Sequence, residues 1–296
     1  VTPLHRLFEA VKTEAAALSV GVAGSEIVGL VPLEAILQAA DYYIERENLL
    51  ILQEDQRVRL AVERLGLGSV APFKPAEKII EYRVAEPPVE PLAGMTVRGF
   101  VEEIAARTTA PGGGSVSAAM AAMGAGLGAM AAKLTYGVRR FETADTEMRR
   151  IIPVLHEAAK ALIPQIDADA SAYNEFMEGL RMPRSTEAEK DARQDKMQRG
   201  LKTAIQVPLK TMQLGDRAWD ALCETARYGN PASKSDTQVG ARALETGIWG
   251  AYQNVLINMV DLRDEAFKTE IRKEADALMD RAKEKCAEVL AILEKH

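Results

Sequence analysis

The sequence predicts a small α+β region at the N-terminus followed by an all-α domain, a bundle of long antiparallel helices. Three observations carry that expectation. Beyond residue 95 apolar residues recur at helical spacing almost to the end of the chain, the pattern of helices with one buried face. Before residue 85 that period is broken by short runs, Val20 to Ala23, Ile27 to Val31 and Glu77 to Val84, that read as extended chain or strand. Between them AEPPVEPLAG, 85–94, holds three prolines and reads as an extended linker. The expected organisation is therefore 1–84, a linker at 85–94, and a helical domain at 95–296.

In the first region Leu4, Leu7, Phe8, Val11, Ala15 and Leu18 share one helical face. Pro32 stands at a second helix start, with Leu33, Ile36, Leu37, Ala40 and Tyr43 on one side, and helical spacing resumes from Asn48 to Leu65. Ile79, Ile80, Tyr82 and Val84 suggest a strand, although the first extended run has no evident partner. Past the linker, Phe100, Val101 and Ile104 mark a short helix. A long one follows through Met148, Ile151, Leu155, Ala159, Leu162, Ile166, Tyr173, Phe176 and Leu180. RMPRSTEAEK then carries a capping box in Thr186 and Glu189, ahead of a helix through Leu201, Ile205, Leu209 and Met212 that Pro208 should kink. GNPASKSD, 229–236, breaks the pattern before two last helices, through Leu244, Ile248, Ala251, Val255 and Leu262 and through Phe267, Ile271, Leu278, Ala282, Val289 and Leu293.

Composition bounds the function. The chain has 296 residues and is 47% hydrophobic, enough for a sizeable core, but only 5% aromatic, so the core must be built from Ala, Leu, Ile, Val and Met. A net charge of -6 with interspersed signs gives no basic footprint for nucleic acid. Cys223 and Cys286 can form neither a disulfide framework nor a metal cluster, which points to a reduced, cytoplasmic setting. The chain opens Val-Thr-Pro-Leu-His, without Met or a signal peptide, and is expected to begin inside a longer protein.

The stretch around which the rest is organised is TTAPGGGSVSAAMAAMGAGLGAMAAKLTY, 108–136. Gly112, Gly113 and Gly114 make a loop of bare backbone, and the helix opened by Ser115 adds unpaired amides and the positive end of a dipole, suited to an anionic or carbonyl-bearing ligand. Val116, Met120, Met123, Leu127, Met130 and Leu134 form an apolar stripe, and Ser117, Ala121, Gly124 and Gly128 a stripe of small residues that admits another helix closely. No charge occurs from Ala110 to Ala132, but Ala and Gly are weakly apolar, so a packed soluble helix is expected and not a membrane span.

Asp169 interrupts the apolar stripe of the long helix, between Ile166 and Tyr173. Asp167 points about two hundred degrees away and is expected at the surface. A carboxylate on an apolar stripe is costly unless paired or functional. Desolvation raises its proton affinity toward acid/base work near neutral pH, and a buried ion pair is the structural alternative. Asn254 and Asn258, one turn apart on another interior stripe, offer amides to a heteroaromatic ring edge or an interhelical clasp. Asp236, with Ser235, stands at a helix start, where capping is the ordinary role. Lys133, Arg139 and Arg140 could meet an acidic tail or form a solvated corner. His5, His156 and His296 are scattered, so no metal site is expected, and no phosphate-binding GxxxxGK[ST] loop is present.

APGGGSVSAAMAAMGAGLGAM, LTYG, IDADASAY, GNPASKSD and GAYQNVLIN together resemble the formimidoyltetrahydrofolate cyclodeaminase domain, over 96–296. TPLHRLFEAVKTEA, GSEIVGLVPL and RLGLGSVAPF resemble the C-terminal subdomain of glutamate formimidoyltransferase, in the order found in the bifunctional formimidoyltransferase-cyclodeaminases. The resemblance implies conversion of 5-formimidoyltetrahydrofolate to 5,10-methenyltetrahydrofolate and ammonia, with Asp169, the second Asp of IDADASAY, as the acid/base. It implies a reduced folate as substrate, with one or more glutamates, no permanently bound cofactor, and a homo-oligomer built on cyclodeaminase dimers. Gly112, Gly113, Gly114 and Ser115 would hold substrate with backbone donors, Asn254, Asn258 and Asp236 would bind the pterin, and Lys133, Arg139 and Arg140 would face the glutamate tail. The transferase's catalytic His belongs to a subdomain this chain does not contain, and His5 does not match it, so transferase activity is expected only in a longer parent chain. A methenyltetrahydrofolate cyclohydrolase and a non-catalytic helical scaffold stand as alternatives.

Overall fold

Apolar periodicity resolves into helices along nearly the whole chain. A computed structural model describes residues 2–84 and 90–295 and divides the chain into two units, one ending at Val89 and one beginning at Glu90. In the first unit α1 (Leu4–Ala17), α2 (Leu33–Arg46) and α3 (Glu54–Arg64) are followed by two short helices, α4 (Pro75–Lys78) and α5 (Ile80–Val84). Its core joins Ile36, Ala39, Ala40 and Tyr43 of α2 to Val58 and Ala61 of α3, with Leu65 and Ile79.

The strand expected at 77–84 is not formed. Val31 and Ile79 make one isolated parallel bridge, in which the Val31 amide donates to Lys78 and the Ile80 amide to Val31, each at 3.0 Å. A lone parallel pair has too few ladder bonds to stand by itself, whereas Pro75 at a helix start lets the same residues satisfy their amides locally. Among the described residues the first unit is therefore helical around one bridge, not the α+β region expected.

The second unit begins with a turn. Residues 85–89 of the expected linker lie outside the described residues, but 90–94 are docked rather than extended. Leu92 is buried against Ala118, Ala119 and Ile166. Beyond it, α6 (Val97–Ile104) is capped by Thr96, whose Oγ1 accepts the Gly99 amide at 3.1 Å. Then come α7 (Gly113–Lys133), α8 (Asp145–Arg181), α9 (Glu187–Asp216), α10 (Trp219–Tyr228), α11 (Lys234–Asn258) and α12 (Glu265–Glu294). The capping box at the start of α9 is formed: Thr186 Oγ1 accepts the Glu189 amide at 3.2 Å and the Glu189 carboxylate accepts the Thr186 amide at 3.0 Å. The sequence pattern did not single out α10, whose Trp219 is fully buried.

α7, α8, α9 and α11 close a ring in which each is antiparallel to its two neighbours. The register is read from close approaches: Gly114 faces Asp169 and Gly128 faces Leu155 between α7 and α8, and Ser117 faces Gly250 and Gly124 faces Gly240 between α7 and α11. A Cβ at Gly124 would lie 2.6 Å from the Leu244 amide nitrogen and 2.7 Å from the Gly240 carbonyl, so the two backbones touch where glycine permits it. The small-residue stripe thus faces inward. The larger stripe of α7 turns outward, with Met123 58% and Leu134 51% exposed. α7 is long and apolar enough to cross a membrane, yet 67% of its most apolar 18-residue stretch is buried inside the unit.

Candidate active site

The ring leaves a cleft at the end where α7 begins and α11 finishes. α8 and α9 run on past that end as a pair: Gly200 lets α9 approach Phe176, and Gly179 lets α8 approach Met197. The turns of α8 beyond Asp169 therefore have no α7 beside them, and Tyr173 and Phe176 line an opening of about 460 Å³. Gly112, Gly113 and Gly114 form one wall, Asn254 and Asn258 another, and Leu201 and Ala204 of α9 the side between.

Asp169 stands at the meeting of loop and overhang. Ser115 fixes it: the hydroxyl donates to the Ile166 carbonyl at 2.8 Å and lies 3.3 Å from Asp169 Oδ2, and the Ser115 amide also donates to the carboxylate. Burial is the largest influence on Asp169 and raises its pKa above the ordinary carboxylate value. The two Ser115 donors favour the anion and offset only part of this. No cation pairs with Asp169 among the described residues, so the buried ion pair is not what the structure contains. A carboxyl whose proton affinity is raised in this way is suited to taking a proton and giving it back. The Gly113 and Gly114 amides stand in the first turn, where no carbonyl of the helix reaches them.

Gly114 must lack a side chain, because a Cβ there would overlap the Asp169 carboxylate. Ser115 is fully buried and does not line the cleft. Its donors are spent on α8, so it positions Asp169 instead of holding substrate as expected.

Asn258 shows how two expected roles coexist. Its Nδ2 donates to the Ala204 carbonyl at 2.8 Å, a carbonyl whose helical partner would be the amide that Pro208 lacks. The clasp between α11 and α9 is thus formed, and the side chain still lines the cleft. Asn254 donates to Gly250 at 2.8 Å and faces the Gly loop.

Four expected site residues lie elsewhere. Asp236 is in the first turn of α11, 18 residues before Asn254 and so about 27 Å away along the helix. Lys133, Arg139 and Arg140 follow the far end of α7, about 30 Å from Gly113 by the same rise. The segment holding Asp236 is tied to that far end, where the Asn230 amide donates to Thr135 Oγ1 at 2.8 Å. Within one chain these four do not line the cleft that holds Asp169, and Asp236 complements the dipole at a helix start. Asp167 is corrected as well: it is only 8% exposed, because its oxygens accept the Leu92 and Ala93 amides at 2.8 and 3.0 Å. The docked turn covers the face that the helical period left open. Thr109, Tyr173, Phe176 and Asp261 are lining residues that sequence reasoning had not assigned. For Tyr173 and Phe176 the signal was an apolar stripe continuing past the Gly114–Asp169 contact. Among the described residues no group of three His, Cys, Asp or Glu is placed to hold a metal.

Comparison with known proteins follows the same division. A family described as Formiminotransferase-cyclodeaminase matches residues 96–277, and the Formiminotransferase domain matches residues 1–85. A formimidoyltransferase-cyclodeaminase of Sus scrofa is 49% identical over 295 residues, 99% of this chain and 54% of the relative, so the chain spans about half the length of such relatives. A methenyltetrahydrofolate cyclohydrolase of Methylorubrum extorquens is 31% identical over 187 residues, 63% of this chain and 90% of that protein. The crystal structure of a formiminotetrahydrofolate cyclodeaminase from Thermotoga maritima superposes with a TM-score of 0.61 at 26% identity, covering 68% of this chain and 97% of that one.

Proposed function

The chain belongs to the formiminotransferase-cyclodeaminase family, and from that premise we propose that its helical unit closes the ring of 5-formimidoyltetrahydrofolate to give 5,10-methenyltetrahydrofolate and ammonia. The observation that carries this reading is a half-buried Asp169, without a cationic partner among the described residues, held by Ser115 against a bare Gly loop in a cleft large enough for a bicyclic ring. In the reaction the formimidoyl group enters protonated, as an amidinium; N10 attacks its carbon and forms the new carbon–nitrogen bond while the carbon–nitrogen π pair moves onto the exocyclic nitrogen, leaving it as an amine. Asp169 takes the N10 proton and delivers it to the exocyclic nitrogen, which leaves as ammonia when its bond to the carbon breaks. The proton moves from one substrate nitrogen to the other, so one carboxyl with raised proton affinity suffices and no permanently bound cofactor is needed.

Gly113 and Gly114 offer amides to the substrate, Asn254 and Asn258 offer polar edges to the pterin, and Tyr173 and Phe176 offer ring faces for it. The outward stripe of Met120, Met123, Leu127 and Met130 fits a second copy of the chain, the homodimer through which this unit would assemble. Formimidoyl transfer would belong to a longer chain that carries the transferase's catalytic histidine, working in the cytoplasm.

The cyclohydrolase relative favours one second reading, in which the same carboxyl directs water onto methenyltetrahydrofolate. Following methenyltetrahydrofolate absorbance separates the two. Purified protein given 5-formimidoyltetrahydrofolate should make the absorbing product, and a protein that only consumes methenyltetrahydrofolate is a cyclohydrolase. Calorimetric titration with tetrahydrofolate addresses the scaffold alternative, since a scaffold gives no heat of specific binding.

A further inference from the structure

Asn258 meets the cleft with a side chain whose direction is set from outside it. Pro208, in the interior of α9, is buried and does not line the cleft. It has no amide to give the Ala204 carbonyl, and its ring crowds that carbonyl out of the helical ladder. The carbonyl instead accepts from Asn258 Nδ2 of α11, at 2.8 Å. A carbonyl oxygen can only accept, so the amide nitrogen is the end that faces α9. The reverse orientation would set two oxygens against each other and leave both without a donor.

The contact is held on both sides. Toward the middle of the bundle, a Cβ at Gly215 would stand 3.0 Å from Ile248 Cγ1, so α9 and α11 are close and in register there. Toward the mouth, Gln198 of α9 brackets the turn after α11: its Nε2 donates to the Asp261 carbonyl at 3.0 Å and its Oε1 accepts the Arg263 amide at 2.8 Å. Asn258 lies between these two clamps. Its Oδ1 accepts no hydrogen bond among the described residues and is left for a ligand in the cleft that the side chain lines.

Resting on the proposed function, we infer that Pro208 is a positioning residue for the substrate: by freeing one carbonyl it fixes the Asn258 amide so that the pterin meets an oxygen, an acceptor for a ring N–H. The pterin carries such donors at N3 and at its 2-amino group. The amide is turned before the ligand arrives, so binding does not have to order it. A proline that served only to bend α9 would have no such link to the ligand.

The test is a double-variant cycle read by calorimetric titration with tetrahydrofolate. Pro208→Ala returns a helical amide to the Ala204 carbonyl, draws it back into its own ladder and releases the Asn258 amide. Tm should hold or rise, while Kd for tetrahydrofolate should rise about five- to tenfold, the worth of one oriented hydrogen bond. KM for 5-formimidoyltetrahydrofolate should rise in step, with kcat within about threefold of wild type. Asn258→Ala should weaken binding by a similar factor, and adding Pro208→Ala to it should change Kd by less than about twofold, because the group that the proline positions is gone. A Pro208→Ala protein that binds like the wild type, or one whose loss is the same in both backgrounds, overturns the inference. If the wild-type chain gives no heat with tetrahydrofolate, the proposed function fails and this inference with it; wild-type binding with additive losses removes the positioning role alone.

Discussion

Replacing Gly114 by alanine isolates what the Gly-rich loop does for the carboxyl behind it. The new Cβ would overlap Asp169 Oδ1 and Cγ, and even the farther oxygen would be 2.6 Å away, where ordinary contact begins at 3.4 Å, so the carboxylate must retreat by about 1 Å or more. The retreat is available, because two side-chain torsions can turn Asp169 away at the cost of its bond to Ser115. The expected loss of stability is therefore that of a modest overpacking, about 1–3 kcal/mol, with the helix intact. The expected loss of catalysis is larger. A displacement of about 1 Å from reacting atoms is worth roughly a hundredfold in rate, so kcat for methenyltetrahydrofolate formation should fall about a hundredfold. Thermal melting beside the single-turnover rate separates the two effects. The double variant completes the test: in an Asp169→Asn background, Gly114→Ala should lower kcat little further, because the group it displaces has already lost its proton chemistry. A Gly114→Ala protein within threefold of wild-type kcat, or losses that multiply in the double variant, would refute the assignment of Asp169 as the group the loop leaves room for.

Asp169→Asn should lower kcat by about a hundredfold or more while raising thermal stability at pH 8. Burial raises the folded pKa of Asp169, so the stability linked to its proton is fully present below the unfolded carboxyl's range and is lost as pH rises through the folded value. The melting advantage of Asn should therefore narrow as the buffer approaches pH 4, and an advantage constant with pH contradicts the raised pKa. Asp167→Ala strands the Leu92 and Ala93 amides and should cost about 1–3 kcal/mol, opening 90–95 to protease; unchanged cleavage there argues against the clamp. Gly124→Val forces α7 from α11 and should lower Tm by several degrees, at about 2–4 °C per kcal/mol, and a melting curve that does not move would mean the helices are not in backbone contact.

What could be read in the sequence follows from which forces are local. Helical period, the Thr186–Glu189 capping box and the place of Asp169 on the face of α8 turned toward α7 depend on residues within a few turns, and all three stand in the structure. Asp167 was misplaced because its burial comes from a turn 75 residues earlier in the chain, which no periodicity records. The expected strand failed for a related reason: Ile79 has β character, but a strand needs neighbours, and here it finds only Val31. Asp236 and the cations near Lys133 were grouped with Asp169 by motif, and motifs carry no distance. Once α7 and α11 are antiparallel helices, the residues at their opposite ends are separated by their lengths. The role of Asn258 could have been anticipated from Pro208, which announces an unpartnered carbonyl at Ala204.

The inward glycines of α7 and α11 also fix how this protein can vary. In most helical bundles the bulky apolar residues tolerate least and the small ones are filler. Here the order is reversed along one seam, where a Cβ at Gly124 or Gly247 would come within 2.7 Å of backbone atoms of the facing helix. A library sampling every substitution should show near-total intolerance at these positions, with no change of volume available to rescue a neighbour, because the neighbour is main chain. Drift at the mouth of the cleft, by contrast, can proceed through Leu201, Ile257 or Val260 without touching the seam. The scaffold is thus rigid where it is plainest in composition, and free to diversify where it meets a ligand.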